Sequence, residues 1–148
     1  MTVRSVTHSD IPSLGVIAEA AGLFPAEYLP EMIQPSFDGG EDRWLVADRA
    51  GAPAGFAFAR PEAMTDRVWN ILALGVAPEA RREGLAKALL KAMEATLDAR
   101  LIIIETTQLP EQAAARAIYA GAGYEEEGRI RDFFADGEDK VIFRKVLS

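Results

Sequence analysis

The chain contains no cysteine and a single histidine, His8. Without cysteine there are no disulfides, no thiolate metal site and no cysteine acyl-enzyme. With one histidine, a multi-imidazole metal site is excluded and no metal is expected. A Ser-His-Asp triad would have to use His8, which stands in a polar segment before the first helix and reads as a solvated loop residue. No stretch approaches the ~18 consecutive apolar residues of a membrane-spanning helix. Met1-Thr2-Val3-Arg4-Ser5 lacks the apolar run of a signal peptide, so a soluble cytoplasmic protein is expected, with no membrane partner. Basic residues are outnumbered, 16 against 23 acidic ones, for a net charge of −7. Nucleic acid is therefore not an expected partner, because binding a phosphate backbone needs a basic face.

What is present suits one globular domain, expected over 1–148, with 49% apolar residues to build a core. Val3–Val6 alternates and predicts a short strand. Ser9 is placed as N-cap of a helix to about Ala21, with Leu14, Ile17, Ala18 and Ala21 on one face and Pro12 in the tolerant first turn. Pro25, Pro30, Pro35 and Gly39-Gly40 break up the segment Gly22 to Arg43, with one short helix near Ala26–Ile33; the segment is a cleft wall or a plain loop. Trp44–Ala47 and Gly55–Ala59 predict strands joined by a hairpin at Gly51 and Pro53, and Arg67–Val76 a third strand. Leu85, Leu89, Leu90, Met93 and Leu97 form the core stripe of a helix running to about Ala99. The continuous run Leu101–Ile104 predicts a strand buried on both faces. Pro110-Glu111 opens a helix through Ala120, ended by Gly121 and Gly123. Glu125-Glu126-Glu127 marks a solvated strand edge, and Ile130–Phe134 and Val141–Arg144 form a closing hairpin. The order β-α-(α)-β-β-β-α-β-α-β-β implies a mixed α/β sheet: central parallel strands joined by a right-handed crossover, antiparallel flanks, helices on both faces.

The most informative segment is Val76-Ala77-Pro78-Glu79-Ala80-Arg81-Arg82-Glu83-Gly84-Leu85-Ala86. A strand runs through a short turn straight into a helix. The first amides of a helix lack internal partners and its dipole adds partial positive charge there, so the turn is suited to an anion. Gly84 leaves the approach free of a Cβ, and Arg81, Arg82, Lys87 and Lys91 add charge, partly offset by Glu79 and Glu83. The dinucleotide fingerprint and the P-loop are both absent. A tight strand-to-helix turn with nothing bound fits the same residues equally well.

Arg81-x-x-Gly84-x-Ala86 resembles the Arg/Gln-x-x-Gly-x-Gly/Ala signature of the GCN5-related N-acetyltransferases, the GNAT family. Two further segments extend the likeness. Ala115-Arg116-Ala117-Ile118-Tyr119 with Gly121-Ala122-Gly123-Tyr124 is similar to the family's Ala-x-x-x-Tyr-x-x-x-Gly-Phe/Tyr segment. Arg131–Phe134 with Asp139–Phe143 resembles the closing hairpin of the branch that acetylates ribosomal-protein N-termini. The resemblance covers about Val3 to Leu147 and implies the GNAT fold, with a splayed pair of central parallel strands. It departs at Gln112, where the family often has Asn, and at Phe133 and Phe134, where that branch often has tyrosine.

The resemblance implies acetyl-CoA as co-substrate. Arg81, Arg82, Glu83, Gly84, Leu85, Ala86 and Lys87 would form the pyrophosphate turn, the backbone of Leu74-Gly75-Val76 would hold the pantetheine arm, and Gln112 and Tyr119 would touch the cofactor. Tyr119 resembles the family's general acid, a phenol of ordinary pKa ~10 that protonates the departing thiolate; the other reading is a core aromatic with its hydroxyl at the rim. Glu105 ends an apolar strand at the sheet edge where open α/β sheets bind ligands. Desolvation there would suit it as the base that takes the amine proton, as a similar Glu does in the ribosomal-protein branch; a surface carboxylate is the other reading. The function expected is direct acetyl transfer, in a ternary complex, to a primary amine of a small-molecule or amino-acid-like acceptor. The alternatives are a peptide or protein N-terminal acetyltransferase and a non-catalytic CoA-binding sensor module. The acceptor is not legible in Gly22–Arg43, and the oligomeric state is left open, a homodimer included.

Overall fold

The computed structural model describes residues 1–147. Among these, seven strands form one mixed sheet in the order β1-β2-β3-β4-β5-β7-β6. β1 (Thr2–Ser5), β2 (Arg43–Arg49), β3 (Ala52–Pro61) and β4 (Val68–Val76) are successively antiparallel. β4 pairs parallel to β5 (Leu101–Thr107), the crossover being α3 (Leu85–Thr96). β7 (Glu138–Val146) returns antiparallel beside β5, and β6 (Glu125–Ala135) closes the far edge. Glu125, Glu126 and Glu127 lie exposed on that edge, as their charge predicts.

Alternation along the strands sends the remaining helices to the two faces. A Cβ on Gly55 would meet Leu89 of α3, whereas one on Gly75 would meet Ile17 of α1 (Ile11–Ala20) and Leu23 beyond it. Gly75 pairs with Phe56, the chain neighbour of Gly55, so α1 and α3 cover opposite faces. α2 (Leu29–Phe37) extends the α1 layer over β2. α4 (Ala113–Gly121) is seated by Tyr119 against Phe143, their ring centroids 5.7 Å apart. Lys145 of β7 donates to Glu94 of α3 (3.0 Å) and to the Ala122 carbonyl (2.8 Å), and Tyr124 donates to the same Glu94 (2.9 Å). Leu85, Leu89, Leu90, Met93 and Leu97 are all buried, so the predicted stripe is the core face of α3.

Three expectations need correction. The helix after β1 is not capped by Ser9. A 3-10 turn, His8–Asp10, precedes α1, and the Asp10 carboxylate accepts the Thr7 N–H (2.7 Å) and hydroxyl (3.1 Å). His8 is exposed as predicted, but its ring stacks on Phe37 at 3.8 Å. α2 passes through Pro35, which lies in its last turn, where the absent N–H removes one helical bond rather than ending the helix. Finally, Leu101–Ile104 is not buried on both faces. Ile102 and Ile104 are buried, while Leu101 and Ile103 are half-buried, because the α1–α2 layer packs on β2, β3 and β4. No described helix is long and apolar enough to cross a membrane.

The N-terminal strand is pinned by charge. Arg4 donates to both oxygens of Asp10 (2.8 Å each) and to Asp48 of β2 (2.6 Å). The guanidinium, followed by the Thr7 contacts, holds the buried Asp10 carboxyl down at about 2 against a usual 3.8. A depressed carboxylate stabilises the fold above the unfolded-state value and loses that contribution as pH falls through the folded one. Asp10→Asn is expected to lower the unfolding free energy by about 2 kcal/mol at neutral pH. In urea titrations the gap between variant and wild type should close as pH falls from 3.8 toward 2. A gap independent of pH would assign the loss to packing.

Candidate active site

β4 and β5 begin as partners and then part. Their parallel register runs from Val68↔Leu101 to Ile71↔Ile104 and ends there. At the same point the β3–β4 register shifts, Ile71 pairing with Ala59 and Ala73 with Phe58, so Leu72 is the extra residue of a bulge. A bulge bends its strand and sharpens its twist, which carries the end of β4 away from β5. A cleft of about 250 Å³ opens between the parted strands, lined by Leu72, Ala73 and Leu74 on one side and by Glu105, Thr106 and Thr107 on the other. Gln112 and Tyr119 line it from the α4 side, and Leu23, Phe134 and Glu138 from the remaining edges. Beyond Ile71 the β5-facing edge of β4 has no strand beside it, so its backbone groups are open to a ligand.

Tyr119 is 5% exposed. Burial pushes its phenol up to about 12, above the ordinary value expected from sequence, because the phenolate would be poorly solvated. At neutral pH it is a full proton donor. Gln112 closes the 3-10 turn before α4, and its side chain makes no hydrogen bond among the described residues. Glu105 does not end its strand, since β5 runs on to Thr107, and both of its carboxylate oxygens have partners. Its Oε1 accepts Nδ2 of Asn70 (2.6 Å), and its Oε2 is ion-paired with Nζ of Lys140. The same Asn70 amide donates to Glu62 (3.0 Å), so one buried side chain bridges two carboxylates.

The second group of expected residues lies where β4 runs on into α3. Arg82 and Gly84 both have left-handed backbone, φ +65° and +85°. Such residues in close succession are the backbone from which anion-binding nests are made. Gly84 is the N-cap of α3, no side chain caps it, and the first helical bond is Ala88 N–H to Gly84 O (3.0 Å). The amides of Leu85, Ala86 and Lys87 therefore have no partner within the helix. A Cβ on Gly84 would meet nothing within 4 Å, so glycine is required there by backbone conformation and by access, not by packing. Arg81, Arg82 and Lys87 are exposed. Glu83 is engaged by Arg49 of β2 (2.7 Å), which offsets the one acidic residue inside the turn.

The structure thus gathers Leu74, Glu105, Gln112 and Tyr119 around one cleft and keeps Arg81–Lys87 together in the turn, with the edge of β4 joining the two groups. Gly75 is buried on the α1 side, where a Cβ would come within 3.0 Å of Leu23 and 3.1 Å of Phe56, so its side-chain position serves packing. Val76 is half-buried. Sequence reading missed Asn70, Glu62, Lys140 and Arg49. Asn70 carried a signal, a lone amide in the apolar run Val68–Val76; the other three read as ordinary surface charges and meet only in the fold.

The chain matches the model of the acetyltransferase (GNAT) domain over residues 40–126. An uncharacterised N-acetyltransferase encoded in the mutA 5′ region of Streptomyces virginiae is 30% identical over 118 residues, 77% of this chain and 47% of that protein. The chain therefore spans about half the length of this curated relative. The crystal structure of a GNAT-family protein from Desulfovibrio desulfuricans superposes with a TM-score of 0.90 at 25% identity, covering 99% of each chain. The ribosomal-protein-S18-alanine N-acetyltransferase of Escherichia coli shares the fold at a TM-score of 0.81 and 24% identity, covering 99% of this chain and 94% of the other. With the family's model matching more than half of this chain and a mixed sheet splayed as the resemblance implied, the chain belongs to the GNAT acetyltransferase family.

Proposed function

We propose that the protein is an acetyl-CoA-dependent N-acetyltransferase that acts on a primary amine of a small-molecule or amino-acid-like acceptor. The observation that carries this reading is the parting of β4 and β5, which opens one cleft onto both a proton donor, Tyr119, and a carboxylate, Glu105. The fit to the co-substrate rests on two features: helix-terminal amides with no cap at Gly84, and a strand edge with no partner. The turn amides and Arg81, Arg82 and Lys87 would hold the pyrophosphate. The backbone of Leu74-Gly75-Val76 would hold the pantetheine arm as a neighbouring strand would. Acetyl-CoA supplies the activated acetyl group. Glu105 accepts a proton from the incoming amine, β4 amides stabilise the oxyanion, and Tyr119 protonates the leaving thiolate.

A peptide N-terminus as acceptor is the second reading. It is supported by the closing hairpin, whose Ile130, Phe133 and Phe134 are about half exposed, Phe134 at the rim of the cleft. A thiol-release assay over a panel of amines and short peptides separates these readings, and a protein that binds the cofactor without releasing free CoA would be a sensor.

Gly84→Glu is expected to abolish acetyl-CoA binding in calorimetry while the fold persists. Gly84→Ala serves as the control for backbone strain at φ +85°. Undiminished binding in the folded Glu variant would remove the turn from the site.

Tyr119→Phe keeps the ring and its packing on Phe143. It is expected to lower kcat by about ten-fold to a thousand-fold with little change in cofactor affinity. An unchanged kcat, measured where chemistry limits the rate, would return Tyr119 to the core.

Glu105→Gln is expected to lower kcat/KM most at neutral pH, with activity recovering as pH rises and free amine accumulates. A wild-type-like pH profile in the variant would mean that water or another group takes the proton.

A further inference from the structure

Any acceptor in the reaction proposed above must present an amine to Glu105, and the fold already pairs one with that carboxylate. The β5–β7 register pairs Glu105 with Ile142 and Thr107 with Lys140, so Glu105 and Lys140 point to the same face, two positions apart. Nζ of Lys140 is ion-paired with Glu105 Oε2 and lies 3.8 Å from the centroid of the Phe133 ring. The Lys140 side chain is only 15% exposed. Glu105 lines the same cleft as Tyr119, and Asn70 fixes its other oxygen, so the carboxylate is held at the cleft wall with the Lys140 amine paired to it. The remaining lysines are placed differently. Lys87 and Lys91 are exposed on α3, and Lys145 is committed to Glu94 and the Ala122 carbonyl.

We propose that Lys140 is a self-acetylation site, its Nζ accepting the acetyl group within the same molecule; the proposal rests on the acetyltransferase reading above. The ammonium yields one proton to Glu105, and the freed lone pair attacks the thioester carbonyl, forming the N–C bond. Collapse of the tetrahedral intermediate breaks the C–S bond, and the thiolate takes its proton from Tyr119. Of the three protons on Nζ, one stays on the amide, one replaces the proton lost by Tyr119, and one passes through Glu105 to solvent. The products are acetyl-Lys140 and free CoA. The neutral amide takes the counter-ion from Glu105 and the cation from Phe133, so modification changes the charge on the acceptor side of the cleft.

The test needs no knowledge of the natural acceptor. Full-length protein is incubated with acetyl-CoA alone and followed by intact-mass and peptide mass spectrometry, with calorimetry of acetyl-CoA binding alongside. The expected result is one acetyl group on Lys140, formed at a rate independent of protein concentration. Tyr119→Phe should slow it about ten-fold to a thousand-fold. Lys140→Arg should abolish it and leave acetyl-CoA affinity unchanged. Glu105→Gln should also slow it, whereas a lysine merely shielded by its ion pair would react faster once the pair is gone. Exposed Lys91 reports the uncatalysed background. Acetyl-CoA binding with Lys140 modified no faster than Lys91, a rate that scales with protein concentration, or faster reaction in Glu105→Gln would each overturn the proposal and leave the acetyltransferase reading standing. No acetyl-CoA binding in calorimetry would overturn that reading itself.

Discussion

The feature on which the site depends is a pairing given up partway. β4 and β5 share hydrogen bonds as far as Ile71 and Ile104 and then separate at the Leu72 bulge. In an intact sheet the backbone groups of Leu72–Val76 would be satisfied by β5 and the space beside them would be filled. Once the strands part, the same groups need other partners, and a wedge opens that side chains from both strands and from α4 reach. Glu105 and Tyr119 both line it although one lies near the end of a strand and the other near the end of a helix. The bulge is small, one residue, but it stands where the β4–β5 ladder ends, so its bend sets the mouth of the cleft rather than a local kink.

Charge is arranged against the character of the chain as a whole. A protein of net charge −7 places an uncapped helix terminus and two exposed arginines at the end of β4, and Arg49 engages the acidic residue within the turn. On the other side of the cleft the balance is reversed. Glu62 and Glu105 share the Asn70 amide, and Lys140 is the one ammonium paired with them among the described residues. The edge of β4 thus leads from the cleft, with its partnered carboxylate Glu105, toward the positive turn. Burial of Tyr119 raises its phenol further above neutrality. The polar clasp of Tyr124 and Lys145 on Glu94 holds α4, and with it Tyr119, in place.

Element order was legible because each strand and helix carries its own periodicity. The stripe Leu85–Leu97 marked α3, and the strand-turn-helix passage at Val76–Ala86 marked the turn. The errors fell where local rules compete. Thr7 rather than Ser9 takes the capping role because Asp10 reaches back to its N–H, and α2 continues past Pro35 because a proline near a helix end removes little. Tyr119, Glu105, Gln112 and Gly84 were all named from the chain. The ordinary pKa expected for Tyr119 was not what burial produced, and Glu105 does not end its strand as expected, because β5 continues to Thr107.

Composition and pattern by themselves determined the absence of thiol and multi-histidine chemistry, the alternation of strands and helices, the core stripe of α3 and the glycine at the start of that helix. These follow from residue identity and short spacing, which the chain displays directly. Tertiary structure alone decided that β4 would part from β5 at Leu72, that Asn70 would bridge Glu62 to Glu105, and that Lys140 would come to rest on the same carboxylate. Those contacts join residues on different strands and turns. Their geometry is set by sheet register and by where a ladder ends, and no local spacing in the sequence encodes either.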